Sequence, residues 1–285
     1  VKTLIVTADD FGVDVAVNEA IERGHREGIL TAASLMVGGK AAADAVERAR
    51  HMPTLGVGLH LVLVEGRPTL PPEQVSRLIN SSGHFRTDMV RAAVAMTFNP
   101  TARHQLAAEI EAQFAAFAAT GLPLDHVNAH KHFHLHPVIA SLMLKIGKRY
   151  GLKAARAPIE PRAVLKSIEP DRKIPRDPAT LWAKLIRLRL RAAGIATPDQ
   201  VFGLAWSGQM TPARVAALIE NLPDGVTEIY AHPALTDNWP GHAPGYCYAD
   251  ECAALIQPRD LLRQHDITLA RFGDLARAEP RHEAI

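Results

Sequence analysis

Leu4-Ile5-Val6-Thr7-Ala8-Asp9-Asp10-Phe11-Gly12 decides how this chain is built. Its first five residues are rich in β-branched side chains and read as a short buried strand. Two adjacent carboxylates and a glycine end the run, and Val13 to Glu27 then reads as a helix. Val17, Ala20, Ile21 and Gly24 supply one stripe of that helix and Gly28 closes it. A strand over 30–37, an Ala-rich helix over 41–50 and a strand over 56–63 follow. Strand, helix, strand, helix, strand is the pattern of parallel strands covered by helices.

Farther along, helices are expected over 102–120 and from 137 to about 149, with strands over 125–129 and 153–156. A strand over 201–204, a helix over 212–221 and a strand over 227–231 come next. A helix near 250–264, a strand over 267–269 and a final helix from about 271 complete the series. Two stretches break the rhythm. Residues 66–100 are irregular, and 157–200 holds Pro158, Pro161, Pro170, Pro175 and Pro178 before a basic helix over 181–193. The arginines of that helix are expected on its wet side, with a lid or a peripheral membrane contact as the sharper reading. Seven or eight strand–helix units without a composition change predict one α/β domain over 1–285. The expected form is a distorted (β/α)7-8, TIM-like barrel with excursions at 66–100 and 157–200.

Composition excludes several classes. A chain of 285 residues with 47% hydrophobic and 22% charged residues is that of an ordinary globular protein. A net charge of +2 gives no electrostatic case for nucleic acid. No apolar run reaches the ~18 residues of a membrane span, and no signal-peptide cleavage pattern opens the chain. A cytoplasmic protein is expected. Cys247 and Cys252 are too few for a disulfide framework and are not spaced C-x-x-C, so free thiols in a reducing setting are expected.

The ionisable residues carry the functional signal. Asp9 and Asp10 follow the first strand, His60 lies near the end of the third, His130 ends the 125–129 strand and His232 follows the 227–231 strand. In parallel barrels such positions converge on one face, where active sites are built. Singly, each has a plainer reading: a helix-start turn for Asp9-Asp10, a core histidine for His60, a loop residue for His232. Together they amount to a set. Asn128-Ala129-His130-Lys131-His132-Phe133-His134-Leu135-His136-Pro137 adds histidines at every second position. If the run stayed a strand, several imidazoles would point the same way. One carboxylate and two imidazoles suit one divalent ion, with Zn²⁺, Co²⁺ or Fe²⁺ more natural than Mg²⁺. A second carboxylate can then serve as general base and a histidine across the barrel as general acid, which is equipment for hydrolysing an amide.

Thr7-Ala8-Asp9-Asp10-Phe11-Gly12, Gly58-Leu59-His60-Leu61, His126 through His134 and Tyr230-Ala231-His232-Pro233 closely resemble the YdjC/ChbG carbohydrate deacetylases. Leu30 to Val37 and Gly58 to Pro68 look most like the hopanoid-biosynthesis branch of that family, HpnK. The resemblance implies a metal-dependent N-deacetylase, with Asp10, His60 and His130 as ligands, Asp9 as base and His232 as acid. Asn128, Lys131, His132, His134, Arg156 and Glu65 are expected around the metal or facing the substrate, and His136 only at a helix start. Where the chito-oligosaccharide enzymes have Asp-Ser-His-His, this chain has Asn128-Ala129-His130-Lys131. The ligand position survives, while the substrate carry-over weakens. The branch implies an N-acetylglucosaminyl hopanoid lipid as substrate, and with the Leu, Val and Ala content of the two excursions an apolar groove formed by them. Peripheral contact with the inner membrane and a homodimer are further expectations. The rivals are a chito-oligosaccharide deacetylase, a metal-dependent hydrolase of another bond, and a non-catalytic sugar or lipid carrier.

Overall fold

The computed structural model describes residues 1–174, 179–256 and 259–277. Strand β1 (Lys2–Phe11) leads into helix α1 (Val15–Glu27), whose N-terminus is capped by the Asp14 side chain accepting from the Ala16 amide. An uncapped helix start would leave that amide unsatisfied. β2 (Ala32–Leu35), α2 (Ala42–Arg50) and β3 (Gly56–Leu61) complete the expected alternation. Then come α3 (Met89–Phe98), α4 (Pro100–Ala119), β4 (Val127–Ala129), α5 (Pro137–Gly147), α6 (Arg162–Ile168) and α7 (Ala179–Ala192). β5 (Gln200–Phe202), α8 (Pro212–Glu220), β6 (Gly225–Ala231), α9 (Tyr248–Leu255), α10 (Arg259–Gln264), β7 (Ile267–Leu269) and α11 (Phe272–Leu275) end the described chain. Both cysteines are free thiols, and no described helix is long and apolar enough to cross a membrane.

All strands pair in parallel, in the order β4-β3-β2-β1-β6-β5, with β7 beside the start of β1. The result is an α/β domain around a curled half-barrel. Among the described residues the strands do not close into the full ring of a TIM barrel. The expected strand over 153–156 contributes only isolated bridges, Val127 to Ala155 and Ala154 to Ala196. Pro158 follows at once and brings no N–H to extend a ladder. Between β4 and β5 the gap is spanned by these bridges and by a hydrogen bond from Val201 N to the Ile159 carbonyl at 2.9 Å.

Three further expectations are corrected. The 66–100 stretch contains a helix, α3, which has apolar residues on its solvent face as well as its buried one and so offers no stripe to read. The single helix expected near 250–264 is two, α9 and α10. On α7 only Arg189 among the arginines is on the exposed side. Arg187 donates to the Asp199 carbonyl at 2.7 Å and Arg191 to Asp199 Oδ1 at 2.7 Å, while Leu181, Trp182, Leu185 and Leu188 face solvent. Pro175 and Pro178 lie outside the described residues.

β3 and β4 approach closely because Gly58 leaves room for the buried His126 ring. That ring sits between Ser34 Oγ at 3.0 Å and Asp125 Oδ2 at 3.0 Å and stacks on Phe272. A Cβ at position 58 would lie 2.5 Å from the imidazole. Gly58→Ala should therefore cost about 1–3 kcal/mol by overpacking. Urea unfolding of the variant checks this; an unchanged midpoint would show that the His126 ring moves aside freely.

Candidate active site

Period-two geometry brings the chemistry inward. In β6, Glu228 and Tyr230 share a face that His232 continues; in the β4 segment, His126 and Asn128 share one that His130 continues. The register pairs Ile5 with Glu228, Thr7 with Tyr230 and His60 with Asn128. Adjacent residues of a regular strand point to opposite faces, which would separate Asp9 from Asp10. β1 avoids this with a register shift between Ala8 and Phe11 and a left-handed Asp10, φ 63°. Both carboxylates then reach His60: Asp9 Oδ1 lies 4.0 Å from Nδ1 and Asp10 Oδ1 lies 3.3 Å from Nε2.

Asp10, His60 and His130 form a cluster whose potential ligand atoms lie within 4.8 Å of one another. Asp10 Oδ1 is 3.3 Å from His60 Nε2 and 3.3 Å from His130 Nδ1. Two donors about 2.1 Å from one tetrahedral ion stand about 3.4 Å apart, so these separations fit a zinc-sized ion. The hydrogen bonding agrees. Asn128 Oδ1 lies 2.6 Å from His60 Nδ1, which makes Nδ1 the protonated nitrogen and leaves the Nε2 lone pair facing Asp10. Asp10 Oδ1 and His60 Nε2 are both buried without a hydrogen-bond partner, two acceptors facing each other as a cation requires. Burial works against a charge on Asp10, yet His130 above all holds its carboxyl well below the usual range. Burial likewise opposes a charge on His130, but Asp10 and Glu65 outweigh it and raise the imidazole to about 9. His130 and Lys131, which sits 3.1 Å from Glu65, in turn hold Glu65 down at about 2.

Asp9 belongs to a deeper network. The fully buried Arg156 donates to Asp9 Oδ2 at 2.6 Å and Oδ1 at 3.1 Å, and to Glu228 Oε1 at 2.9 and 2.6 Å. Asn128 Nδ2 adds a bond to Asp9 Oδ1 at 2.9 Å and another to Ser34 Oγ at 2.9 Å. An aspartate at 128 would set a second negative charge against Asp9, whereas the amide accepts from His60 and donates to Asp9 at once. Burial would raise the Asp9 carboxyl, but Arg156 and His60 overcome it and hold it far below the carboxylate range.

Asp9, Asp10, His60, His130, Lys131, His132, Glu65 and His232 all line a cavity of about 740 Å³, within the range of small-molecule sites. Asn128, Arg156 and His134 are buried behind it. The buried His134 donates from Nε2 to the Arg156 carbonyl, at 3.0 Å, and so does not face a substrate. The alternating-histidine reading fails after Ala129. Residues His130–Leu135 form a short 3₁₀ turn with Lys131 and His132 left-handed, which sends His132 to the Tyr230 hydroxyl at 2.9 Å. His136 caps α5, as expected. The groove expected from both excursions is built by one: Arg67, Thr69, His84 and Met89 line the cavity, and no described residue of 157–200 does.

Sequence reasoning passed over the opposite wall, where Trp239, Tyr246 and Tyr248 stand with Tyr230. Three of the four tyrosines fall within 230–248, a clustering that could have marked it. It also passed over Glu251, which is buried, accepts the His232 amide and lies 3.9 Å from His232 Nδ1. Glu228 and Tyr230 were legible as polar residues alternating toward His232 within an otherwise buried strand.

A family model described as YdjC-like protein matches residues 3–264, and the chain belongs to that family. A carbohydrate deacetylase of Vibrio vulnificus (strain CMCP6) is 30% identical over 99% of both chains. A carbohydrate deacetylase of Brevibacillus brevis is 40% identical over a shorter stretch, 52% of this chain and 56% of the relative. Among solved structures, a protein of Enterococcus faecalis V583 provisionally named for cellobiose-phosphate cleavage superposes with a TM-score of 0.75. It is 24% identical and covers 96% of this chain and 98% of its own, a likeness of fold.

Removing Arg156 would leave two buried carboxylates without their counter-charge. Arg156→Met should cost about 3–5 kcal/mol near pH 7. The pH dependence has a definite sign. In the wild type Asp9 is depressed, so its contribution is present above the unfolded value of about 3.9 and is lost as pH falls toward the folded value. In the variant the carboxyl is raised instead, and protonation relieves it. The gap in urea midpoint should be widest at neutral pH and shrink as pH falls. It narrows first as the variant's raised carboxyl protonates and then as the wild type loses its ion pair below about pH 4. A gap that is constant with pH would mean that packing, not the ion pair, is what Arg156 supplies.

Proposed function

We propose that this chain hydrolyses the acetamide of an N-acetylated amino sugar, with Asp10, His60 and His130 holding one divalent ion, most naturally Zn²⁺. The observation that carries this reading is the orphaned Asp10–His60 pair beside His130 on the cavity floor, with Asp9 behind it and His232 on the same cavity. Family membership, with relatives named carbohydrate deacetylases, supports the same chemistry. When bound, the ion supplies Lewis acidity and lowers the pKa of nearby water.

Asp9 is the general base. Arg156 keeps it ionised at every working pH, so it is always available, and the same contact makes it a weak base suited only to an acidified proton donor. His232 is the general acid for the leaving nitrogen. Its backbone is fixed by Glu251, and its ring lies between Tyr230 and Tyr246, at 5.7 and 5.5 Å. Asn128 holds the His60 tautomer that ligation needs. Lys131, on the turn that follows His130, and its partner Glu65, on the loop after β3, shape the sugar pocket.

For the substrate, the reading is an N-acetylglucosaminyl hopanoid lipid, supported by the similarity of 30–37 and 58–68 to that branch and by Lys131 in place of a histidine. A chito-oligosaccharide is the second reading. It is favoured by the Trp239, Tyr246 and Tyr248 wall, which offers stacking faces to a second sugar ring.

Asp9→Asn should lower kcat roughly 10²–10⁴-fold while metal content stays at wild-type level. His130→Ala should lose the metal itself. Activity retained in the first variant would remove Asp9 from its role, and unchanged metal in the second would sink the ligand set. Substrate choice is settled by acetate release from an N-acetylglucosaminyl lipid, free N-acetylglucosamine and N,N′-diacetylchitobiose, each with and without chelator. The lipid should be hydrolysed fastest and chelator should abolish turnover; equal turnover of lipid-linked and free sugar would count against the lipid.

A further inference from the structure

Two helices, one of which reaches the cavity through Met89, turn large apolar side chains to solvent. On α3, Val90, Val94 and Phe98 recur every four residues and are 74%, 53% and 79% exposed. On α7, Leu181, Trp182, Leu185 and Leu188 make a second stripe, with Leu181 71% and Leu188 64% exposed. Single exposed apolar residues are ordinary, but large ones aligned on two helices are not. Each helix also buries an opposite face, Ala92 and Met96 on α3 and Ala183, Ile186 and Leu190 on α7, so neither is simply loose.

Both helices are fastened to the start of α5. Thr97 Oγ1 lies 3.0 Å from His136 Nε2, and Arg189 Nη2 donates to Ser141 Oγ at 2.9 Å. His136 ends the turn that begins with His130, and Met89, the first residue of α3, lines the cavity. The stripes are thus tied to the same part of the molecule as the site.

The charge pattern selects the occupant. Neither helix contains an acidic residue, and α7 exposes Lys184 and Arg189, with Arg187 and Arg191 engaged at Asp199. A second copy docked through the same face would set basic α7 against itself. An apolar stripe bordered by cations instead suits an anionic lipid surface, where apolar side chains enter the acyl boundary and cations meet headgroups.

We propose that α3 and α7 form a docking face for an anionic bilayer, with Phe98, Trp182, Leu185 and Leu188 entering it and Lys184 and Arg189 at the headgroups. Docking there would hold the cavity next to the membrane. The proposal is independent of what the site hydrolyses.

Trp182 provides the reporter, because Trp206 and Trp239 are only 1% and 6% exposed. The full chain should show a blue-shifted emission and pellet with vesicles of phosphatidylglycerol and phosphatidylcholine in equal parts. It should do so far less with phosphatidylcholine alone, and less again as salt rises. Trp182→Phe should abolish the shift. A Phe98→Glu, Leu188→Glu double variant should partition roughly tenfold or more weakly, with circular dichroism and metal content unchanged. No shift and no pelleting with anionic vesicles would overturn the proposal, as would a dimer in light scattering that the double variant dissociates.

Discussion

Arg156 is shut off from solvent yet carries a full charge, and the interior of the curl is arranged around that constraint. Burying an ion costs several kcal/mol unless its partners are close and well aligned. Here they come from two different strands: Asp9 from β1 and Glu228 from β6, with the Tyr230 ring 4.3 Å from the guanidinium carbon. The β1–β6 register that pairs Ile5 with Glu228 and Thr7 with Tyr230 is what places these groups on one inward face. Arg156 itself sits in the segment that has only isolated bridges. Backbone bridges tie that segment to β4, and the ion pairs add a cross-link across the interior to β1 and β6.

The same constraint reaches the chemistry. Clamped by Arg156 and Asn128, Asp9 has almost no freedom to rotate, and Asn128 passes that rigidity to His60 through Nδ1. His60 then presents Nε2 to Asp10. A chain of buried hydrogen bonds thus runs from a structural ion pair to the proposed ligand set. Fixed dipoles and charges of this kind need little reorganisation when charge develops on a substrate.

Much of this was legible in the sequence because it obeys period rules. The β-branched run before Asp9 gave a strand, the alternation over the first 63 residues gave a parallel sheet, and residues at strand ends converge in any such sheet. What was not legible is where the chain departs from those rules. The shift in β1 puts Asp9 and Asp10 on one side, against the alternation a strand would impose. The turn after Ala129 ends the apparent histidine ladder. α3 has no polar face to give it away, and α7 spends Arg187 and Arg191 on Asp199 instead of on solvent. In each case tertiary contacts, which no local pattern encodes, decided the outcome.

Those departures are not scattered. Among the described residues, five non-glycine positions have positive φ: Asp10, Glu65, Lys131, His132 and Asp266. The first four line the cavity. Such conformations cost of order 1–3 kcal/mol each and persist only where the surroundings over-determine them. For Asp10 and His132 the surroundings are buried strands and the Tyr230 hydroxyl. Glu65 and Lys131 lie at the half-exposed rim, joined by a pair that solvent largely screens. The floor and the rim are therefore held by different forces. Residues of the floor are locked from behind by buried charge, while residues of the rim can change without disturbing that lock. Lys131 marks this division: it alters the rim one residue from His130 and leaves the ligand cluster geometrically complete.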